Sequence, residues 1–298
     1  MLSAIATDFA MIDGVDVSTP LAPTFPSIAG VSRRAPVNSR EQFEEAVREA
    51  DAAVIVAPEF DRRLVEFSEI VVLEGRRLLG CAPDAIRLTG DKLALAEHWL
   101  ARGMSTPTTR LASDAPPSFP AVLKPRFGAG SQAIRLIESA RDWPAARRES
   151  TRETPGSEFI VQPYVPGKPC SIAFLVGPDG AVPLLPGEQI LSNDGRFHYR
   201  GGRFSLSSDE ADRAIAVGRR AIAGIPGLGG WIGVDLVLGE RDVAIEINPR
   251  LTTSYIGLRR MTQVNLAKVW LRLHRGASVG PIVWEKEPIE FTAAKPSR

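Results

Sequence analysis

Between Trp231 and Arg250 the chain reads WIGVDLVLGERDVAIEINPR. Two apolar, β-branched runs, residues 232–238 and 243–247, flank a Gly-Glu-Arg-Asp break, the pattern of a β-hairpin. Asp235 lies in the first run, Glu246 in the second, and Asn248 one residue beyond it. Side chains alternate faces along a strand, so Glu246 and Asn248 point the same way, and pairing across residues 239–242 brings Asp235 towards Glu246. Three oxygen-bearing side chains on one face of otherwise apolar strands suit a hard divalent cation such as Mg²⁺, which takes oxygen ligands and shares its shell with phosphates. Arg250, two residues after Asn248, extends that face towards an anion. The bland alternative is a set of solvated acids on the wet side of a half-buried sheet. The nearly continuous apolar runs argue against a wet side.

These residues must be held by a sizeable globular chain. It has 298 residues, 44% of them hydrophobic and 24% charged, enough for a core divided over two or three lobes. The net charge of +1 demands no basic face for nucleic acid. The two cysteines, Cys81 and Cys170, follow no metal, redox or disulfide spacing. No signal-peptide pattern opens the chain and no run approaches the roughly 20 apolar residues of a membrane span, so the expected compartment is the cytoplasm. A homodimer is allowed.

Residues 1–88 read as a small α/β unit: a first strand over residues 2–6, a helix capped by Ser39 and Gln42 ahead of Phe43, Ala46 and Val47, a buried strand over 52–57, a helix through Leu64 to Leu73, and a strand near 76–80. Alternation of strand and helix favours a parallel sheet there. Asp91-Lys92 opens a helix ending near Gly103, and a proline-rich loop covers residues 114–120. A strand over 119–124 ends in Lys124-Pro125, and the polar turn containing Gly128, Ala129, Gly130 and Ser131 leads to a strand over 132–137. Strand, glycine loop, strand is not the Walker arrangement, yet glycines let backbone N–H groups close round a phosphate; a plain hairpin turn explains it too. Gln162-Pro163-Tyr164-Val165-Pro166-Gly167 is a proline-stiffened connector whose backbone groups could lie along a flat heterocycle. Strands follow over 171–176 and 182–185, then a helix over 209–222 capped by Ser208, the hairpin, a helix over 264–273, and a frayed tail over 286–298. Arg200, Arg203 and Tyr255 suit a substrate carboxylate, or a solvated basic strand. His98, His198 and His274 read as structural or surface residues, with His198 alternatively lining an acceptor site.

In this order the pieces resemble the ATP-grasp superfamily: Asp91-Lys92, Val122-Leu123-Lys124-Pro125, the glycine loop, the connector from Glu158 to Gly167, Asp235, and Glu246-Ile247-Asn248-Pro249-Arg250. The resemblance runs from about Gly90 to Ser254. It implies an α/β (α+β) ATP-grasp fold with a small N-terminal α/β pre-ATP-grasp domain over 1–88, a lobe carrying the glycine lid over 89–165, and a C-terminal lobe with the metal site over 166–298. It implies ligation of a small-molecule carboxylate to an amine through an acyl-phosphate, with ATP and Mg²⁺, or Mn²⁺ in its place. It further implies that Lys92 and Lys124 contact phosphates, that residues 128–131 form the lid, that Pro163 carbonyl and Val165 N–H, within the stretch Gln162 to Val165, hold adenine, that Asp235, Glu246 and Asn248 hold the metal, and that Arg250 stabilises the transferred phosphoryl group. The chain departs from the pattern at Gln162, where an acid is frequent, after Gly167, where the ribose acid is missing, and at Gly233, where some of these ligases carry arginine. The stretch from Glu246 to Leu258, EINPRLTTSYIGL, resembles tyramine–glutamate ligases of methanofuran biosynthesis and their bacterial methylofuran relatives. That subgroup joins the γ-carboxylate of glutamate to tyramine or tyrosine. Other amino-acid ligases of this fold, and a non-catalytic nucleotide-binding module, are the alternatives.

Overall fold

The computed structural model describes residues 1–112 and 118–293, so part of the expected proline-rich loop and the last five residues of the expected tail lie outside it. The chain opens with a helix, α1 (Leu2–Ala10), rather than the expected strand. Its buried positions are Ile5, Ala6, Asp8 and Phe9. That is helical spacing, visible only beyond the five residues on which a strand was read. β1 (Val17–Pro20) pairs in parallel with β2 (Val31–Arg34). α2 (Arg40–Arg48) is capped as expected: Ser39 Oγ accepts from the Gln42 N–H at 3.3 Å, while Gln42 Oε1 accepts from the Asn38 N–H at 2.8 Å. β3 (Ala52–Ala53) is much shorter than the expected strand and pairs in parallel with β4 (Arg77–Leu78) across α3 (Arg63–Leu73). The residues after β3 leave the sheet because Val56, Ala57 and Pro58 turn to wall a cleft. α4 (Pro83–Gly90) closes the unit.

α5 (Lys92–Ala101) starts at Asp91, whose carboxylate accepts from the N–H groups of Leu93 and Ala94 at 3.1 and 3.2 Å. β5 (Arg110–Leu111), β6 (Ala121–Pro125), β7 (Arg135–Ile137) and, after α6 (Trp143–Glu153), β8 (Phe159–Pro163) form a sheet in the order β5-β8-β6-β7. All its pairs are antiparallel. Trp143 and Ala146 of α6 cover Leu123, Ile137 and Val161.

The remaining strands are β9 (Lys168–Gly177), β10 (Gly180–Pro183), β11 (Gly187–Leu191), β12 (Tyr199–Phe204), then, after α7 (Ser208–Ile222), β13 (Gly230–Leu238) and β14 (Val243–Asn248). Two helices, α8 (Ser254–Leu258) and α9 (Leu266–His274), precede β15 (Ile289–Thr292). Together these strands make a second sheet in the order β14-β13-β9-β11-β12-β15, with β10 on β9. The caps are Ser207, one residue before the expected Ser208, and Asn265. The expected frayed tail contains β15 because Phe291 is buried and stacks on Phe204 at 5.6 Å. Gly201, at φ 149°, permits this approach, since a Cβ there would lie 2.0 Å from the Phe291 carbonyl oxygen.

Both faces of the large sheet are covered. Ile172 and Phe174 of β9, with Ile232, Val234 and Leu236 of β13, pack with Ala214 and Ala221 of α7 and Trp99 of α5. Ala173, Leu175 and Trp231 face the other way, towards Trp270 of α9, Tyr255 of α8 and Phe9 of α1. Two covered faces explain why β13 and β14 read as unbroken apolar runs.

Asp8 ties this second layer together. Its carboxylate accepts from Arg259 Nε at 2.9 Å and Nη2 at 2.6 Å, and from the Tyr255 hydroxyl. Replacing Asp8 by alanine leaves a buried hydroxyl and a guanidinium without their acceptor, and we expect a loss of about 2–4 kcal/mol of stability. The measurement is the urea unfolding midpoint; an unchanged midpoint would show that the network holds nothing together.

Candidate active site

β13 and β14 pair with Asp235 opposite Glu246 and Gly233 opposite Asn248. A bulge between the Asp235–Glu246 and Leu236–Ala244 pairs leaves Ile245 as the extra residue. That one-residue insertion resets the alternation, so Ala244 and Ile247 both face the core while Glu246 and Asn248 face a cleft. The cleft has a volume of about 720 Å³. Its walls come from both large sheets and from residues 56–58 and 60 of the N-terminal unit.

Glu246 is the centre of the site. Its Oε2 lies 3.8 Å from Lys92 Nζ and 3.8 Å from Lys124 Nζ. Burial works to raise its pKa, but Lys92, Lys124 and Arg250 outweigh it and hold the carboxyl below the usual range. Asp235 shows the opposite balance. Burial, then the neighbouring Glu246 charge, push it up to about 7, although Asn248 Nδ2 donates to it at 3.2 Å and Gln189 Nε2 at 3.0 Å. Burial pushes the Lys124 ammonium down to about 8 against the pull of Glu246. Arg250 keeps its terminal nitrogens only loosely engaged, at 3.3 Å from the Leu251 carbonyl and 3.5 Å from Asn248 Oδ1.

The two lysines reach one carboxylate because Arg126 locks their elements. Its guanidinium donates to Asp91 through Nε at 2.8 Å and to Glu158 through Nη1 at 2.7 Å, while its backbone carbonyl accepts from Lys92 N–H at 3.2 Å. The start of α5 and the ends of β6 and β8 are therefore fixed together. Lys92 Nζ also donates to the Gly128 carbonyl at 2.8 Å, and Ser131 Oγ donates to the Phe197 carbonyl at 2.8 Å. The glycine loop is thus anchored on both sides of Ala129 and Gly130, and all four loop residues line the cleft. Pro163, Tyr164 and Val165 line it as well, with the Tyr164 N–H bound to the Pro120 carbonyl at 3.0 Å. Gln162 also borders it, but its side-chain amide turns to Thr109 Oγ1 at 2.6 Å.

Other expected residues lie elsewhere. Tyr255 is fully buried, edge-on to Trp231 at 5.2 Å, with its hydroxyl on Asp8. Arg203 pairs with Glu290 across the β12–β15 edge at 2.7 Å, and Arg200 is exposed on the same strand. His198 is exposed too, while its neighbours Phe197 and Tyr199 line the cleft. Arg200 and Arg203 are three residues apart and would face opposite ways by alternation alone; a bulge that leaves Arg200 unpaired between the Tyr199–Leu191 and Gly201–Ile190 pairs leaves both exposed.

Two further residues of the site, Gln189 and Glu59, are not signalled by the sequence. Gln189 carries no local signal in its strand, and Glu59 sits in a turn after Ala57-Pro58. Glu59 Oε1 lies 2.9 Å from Arg250 Nε. Gly233 has a local reason to be glycine: a Cβ there would come within 2.6 Å of Thr252 Cγ2, so any side chain, an arginine included, would require Thr252 to shift.

Among the described residues no group of three His, Cys, Asp or Glu side chains is placed to hold a metal. The oxygen set here is two carboxylates and an amide. That set fits Mg²⁺, which takes one or two carboxylates and completes its shell with phosphates and water.

The ATP-grasp domain model matches residues 89–254, and a pre-ATP-grasp domain model matches residues 15–86. The chain belongs to the ATP-grasp family of carboxylate–amine ligases. Among similar proteins is a tyramine–L-glutamate ligase of Methanocaldococcus fervens, 27% identical over 82% of this chain and 72% of its own length. Its Methanocaldococcus jannaschii counterpart is 26% identical over 74% of this chain, which spans 62% of that protein. A crystal structure described as a putative ATP-grasp superfamily protein from Archaeoglobus fulgidus superposes with a TM-score of 0.64 at 28% identity, over 83% of this chain and 72% of that one. No helix among the described residues is long and apolar enough to cross a membrane.

The geometry predicts that Lys124→Ala weakens ATP binding by about tenfold, the size expected for one charged contact, and adenosine binding by less than twofold. Calorimetric titration of both ligands checks this. Equal losses for the two would place Lys124 away from the phosphates.

Proposed function

We propose that the chain is an ATP- and Mg²⁺-dependent ligase that activates a carboxylate as an acyl-phosphate, joins it to an amine, and releases ADP and phosphate. The observation that carries this reading is the convergence of Lys92 and Lys124 on Glu246, beside Asp235, Asn248 and Arg250. Phosphoryl transfer requires positioning and charge neutralisation more than covalent help from the protein.

In this reading Lys92 and Lys124 exchange their shared carboxylate for triphosphate oxygens. Asp235, Glu246 and Asn248 hold Mg²⁺, which neutralises charge on the transferred group. The loop of Gly128, Ala129, Gly130 and Ser131 covers the phosphates and keeps water from the acyl-phosphate. Pro163 carbonyl and Val165 N–H take the adenine edge. Arg250 neutralises charge on the γ-phosphoryl oxygens as a substrate carboxylate oxygen attacks phosphorus and the bond to ADP breaks. The amine then attacks the acyl carbon, phosphate leaves, and the amine loses a proton. Residues 1–88, 89–165 and 166–298 act as the pre-ATP-grasp, lid and metal-site portions of a cytoplasmic enzyme.

The relatives named tyramine–L-glutamate ligase support L-glutamate as the acid and tyramine as the amine; we take the γ-carboxylate as the group activated, with tyrosine as the second amine to test. The aromatic side chains Phe60, Tyr164, Phe197 and Tyr199 in the cleft wall are compatible with an aromatic acceptor.

Turnover of glutamate labelled with oxygen-18 in its γ-carboxylate should place label in the released phosphate. Detection of AMP, or of unlabelled phosphate, would overturn the acyl-phosphate route. Failure with tyramine and tyrosine, alongside turnover with another amine, would overturn only the choice of substrates.

A further inference from the structure

Arg250 is held from outside the ATP-grasp portion of the chain. Glu59 belongs to the N-terminal unit, in the turn between β3 and α3, and its side chain is only 6% exposed. Its Oε1 sits 2.9 Å from Arg250 Nε, yet the Nε–H does not point at it, so the contact is an ion pair rather than a hydrogen bond. Glu59 Oε2 is buried without a hydrogen-bond partner among the described residues. Among the described residues the terminal nitrogens of Arg250 make only the two long contacts given above. The carboxylate therefore fixes the guanidinium by charge while leaving its forked donors to a ligand, and an arginine fork matches phosphoryl and carboxylate oxygens.

The turn that presents Glu59 is itself well defined. Asp61 and Arg62 take left-handed conformations at φ 55° and 56°, and the Pro58 carbonyl accepts from the Leu64 N–H at 3.2 Å. Val56, Ala57, Pro58 and Phe60, on both sides of Glu59 in sequence, line the cleft. Left-handed backbone at non-glycine residues persists only where the surrounding structure enforces it, and such positions cluster beside functional sites.

We propose that Glu59 is a positioning residue that aims Arg250 at the γ-phosphoryl group, so that the N-terminal unit completes the phosphoryl-transfer site. This rests on the ligase reading above. A surface loop placed there only for packing would have no use for a buried carboxylate against a loosely hydrogen-bonded arginine.

The test compares the full chain with Arg250→Ala, Glu59→Gln, Glu59→Asp and the Arg250→Ala/Glu59→Gln double variant. Dissociation constants for ADP and for a non-hydrolysable β,γ-imido analogue of ATP are measured with Mg²⁺ by calorimetry, and their ratio reports the γ-phosphoryl contact without any turnover. Arg250→Ala should lower the preference for the triphosphate by about tenfold. Glu59→Gln should reproduce most of that loss with ADP affinity unchanged, Glu59→Asp should lose less, and the double variant should lose no more than Arg250→Ala alone. An intact preference in Glu59→Gln beside a lost one in Arg250→Ala would overturn the proposal and leave the ligase reading standing. Equal weakening of ADP and analogue, or failure of both Glu59 variants to fold, would assign Glu59 a structural role and overturn it as well. A preference unaltered in Arg250→Ala would remove Arg250 from the γ-phosphoryl group, and both the proposal and that part of the ligase reading would fall.

Discussion

A single buried carboxylate organises this molecule. Glu246 faces Lys92 from α5, Lys124 from β6, and Asp235 across its own hairpin. Each lysine ammonium would be costly to bury alone, and so would the acid pair. Together with Arg250 and Glu59 they form a set of three cations and three carboxylates that reach one another only when both sheets and the N-terminal turn are in place. Such a set has little net attraction for a bare triphosphate. In the proposed reading, a nucleotide arriving with Mg²⁺ replaces the shared carboxylate on the lysines while the acids take the metal, so the exchange leaves no buried charge unpaired.

The rest of the fold serves that convergence. Arg126 holds the start of α5 against β6 and β8, which fixes the separation of the two lysines. The Ile245 bulge turns Glu246 out of the core without breaking the hairpin. Gly167, at φ 147°, lets the connector cross β13, where a Cβ would meet the Leu238 carbonyl oxygen at 2.5 Å. On the far side, Asp8, Tyr255 and Arg259 fasten α1 to α8, close after the strand that carries the site.

Local patterns carried much of this arrangement into the sequence. The hairpin, the facing of Asp235 and Glu246, the strand end at Lys124, the helix start at Asp91-Lys92 and the glycine loop all depend on neighbours a few residues apart. What stayed hidden depends on distance along the chain. Asp8 and Arg259 are 251 residues apart, and nothing near either one announces the other. Glu59 and Gln189 look like ordinary polar residues until the fold brings them to Arg250 and Asp235. Tyr255 and the β12 arginines are of types that suit a substrate, but core packing and the bulge at Arg200 decide where their side chains go. β15 reads as a tail in sequence because its anchor, Phe291, is recognisable only beside Phe204 and the glycines of β12.

The role of Glu246 is tested most directly by a Mg²⁺ titration of turnover in Glu246→Gln. The substitution keeps the shape of the side chain and removes the charge that faces both lysines and that the proposed reading gives to the cation. Turnover should fall by about 10²–10³-fold, the Mg²⁺ concentration needed for half-maximal rate should rise, and the urea midpoint should show that the fold survives. A variant within a few-fold of the natural enzyme at limiting Mg²⁺ would contradict the assignment of Glu246 as the residue on which metal and phosphates meet.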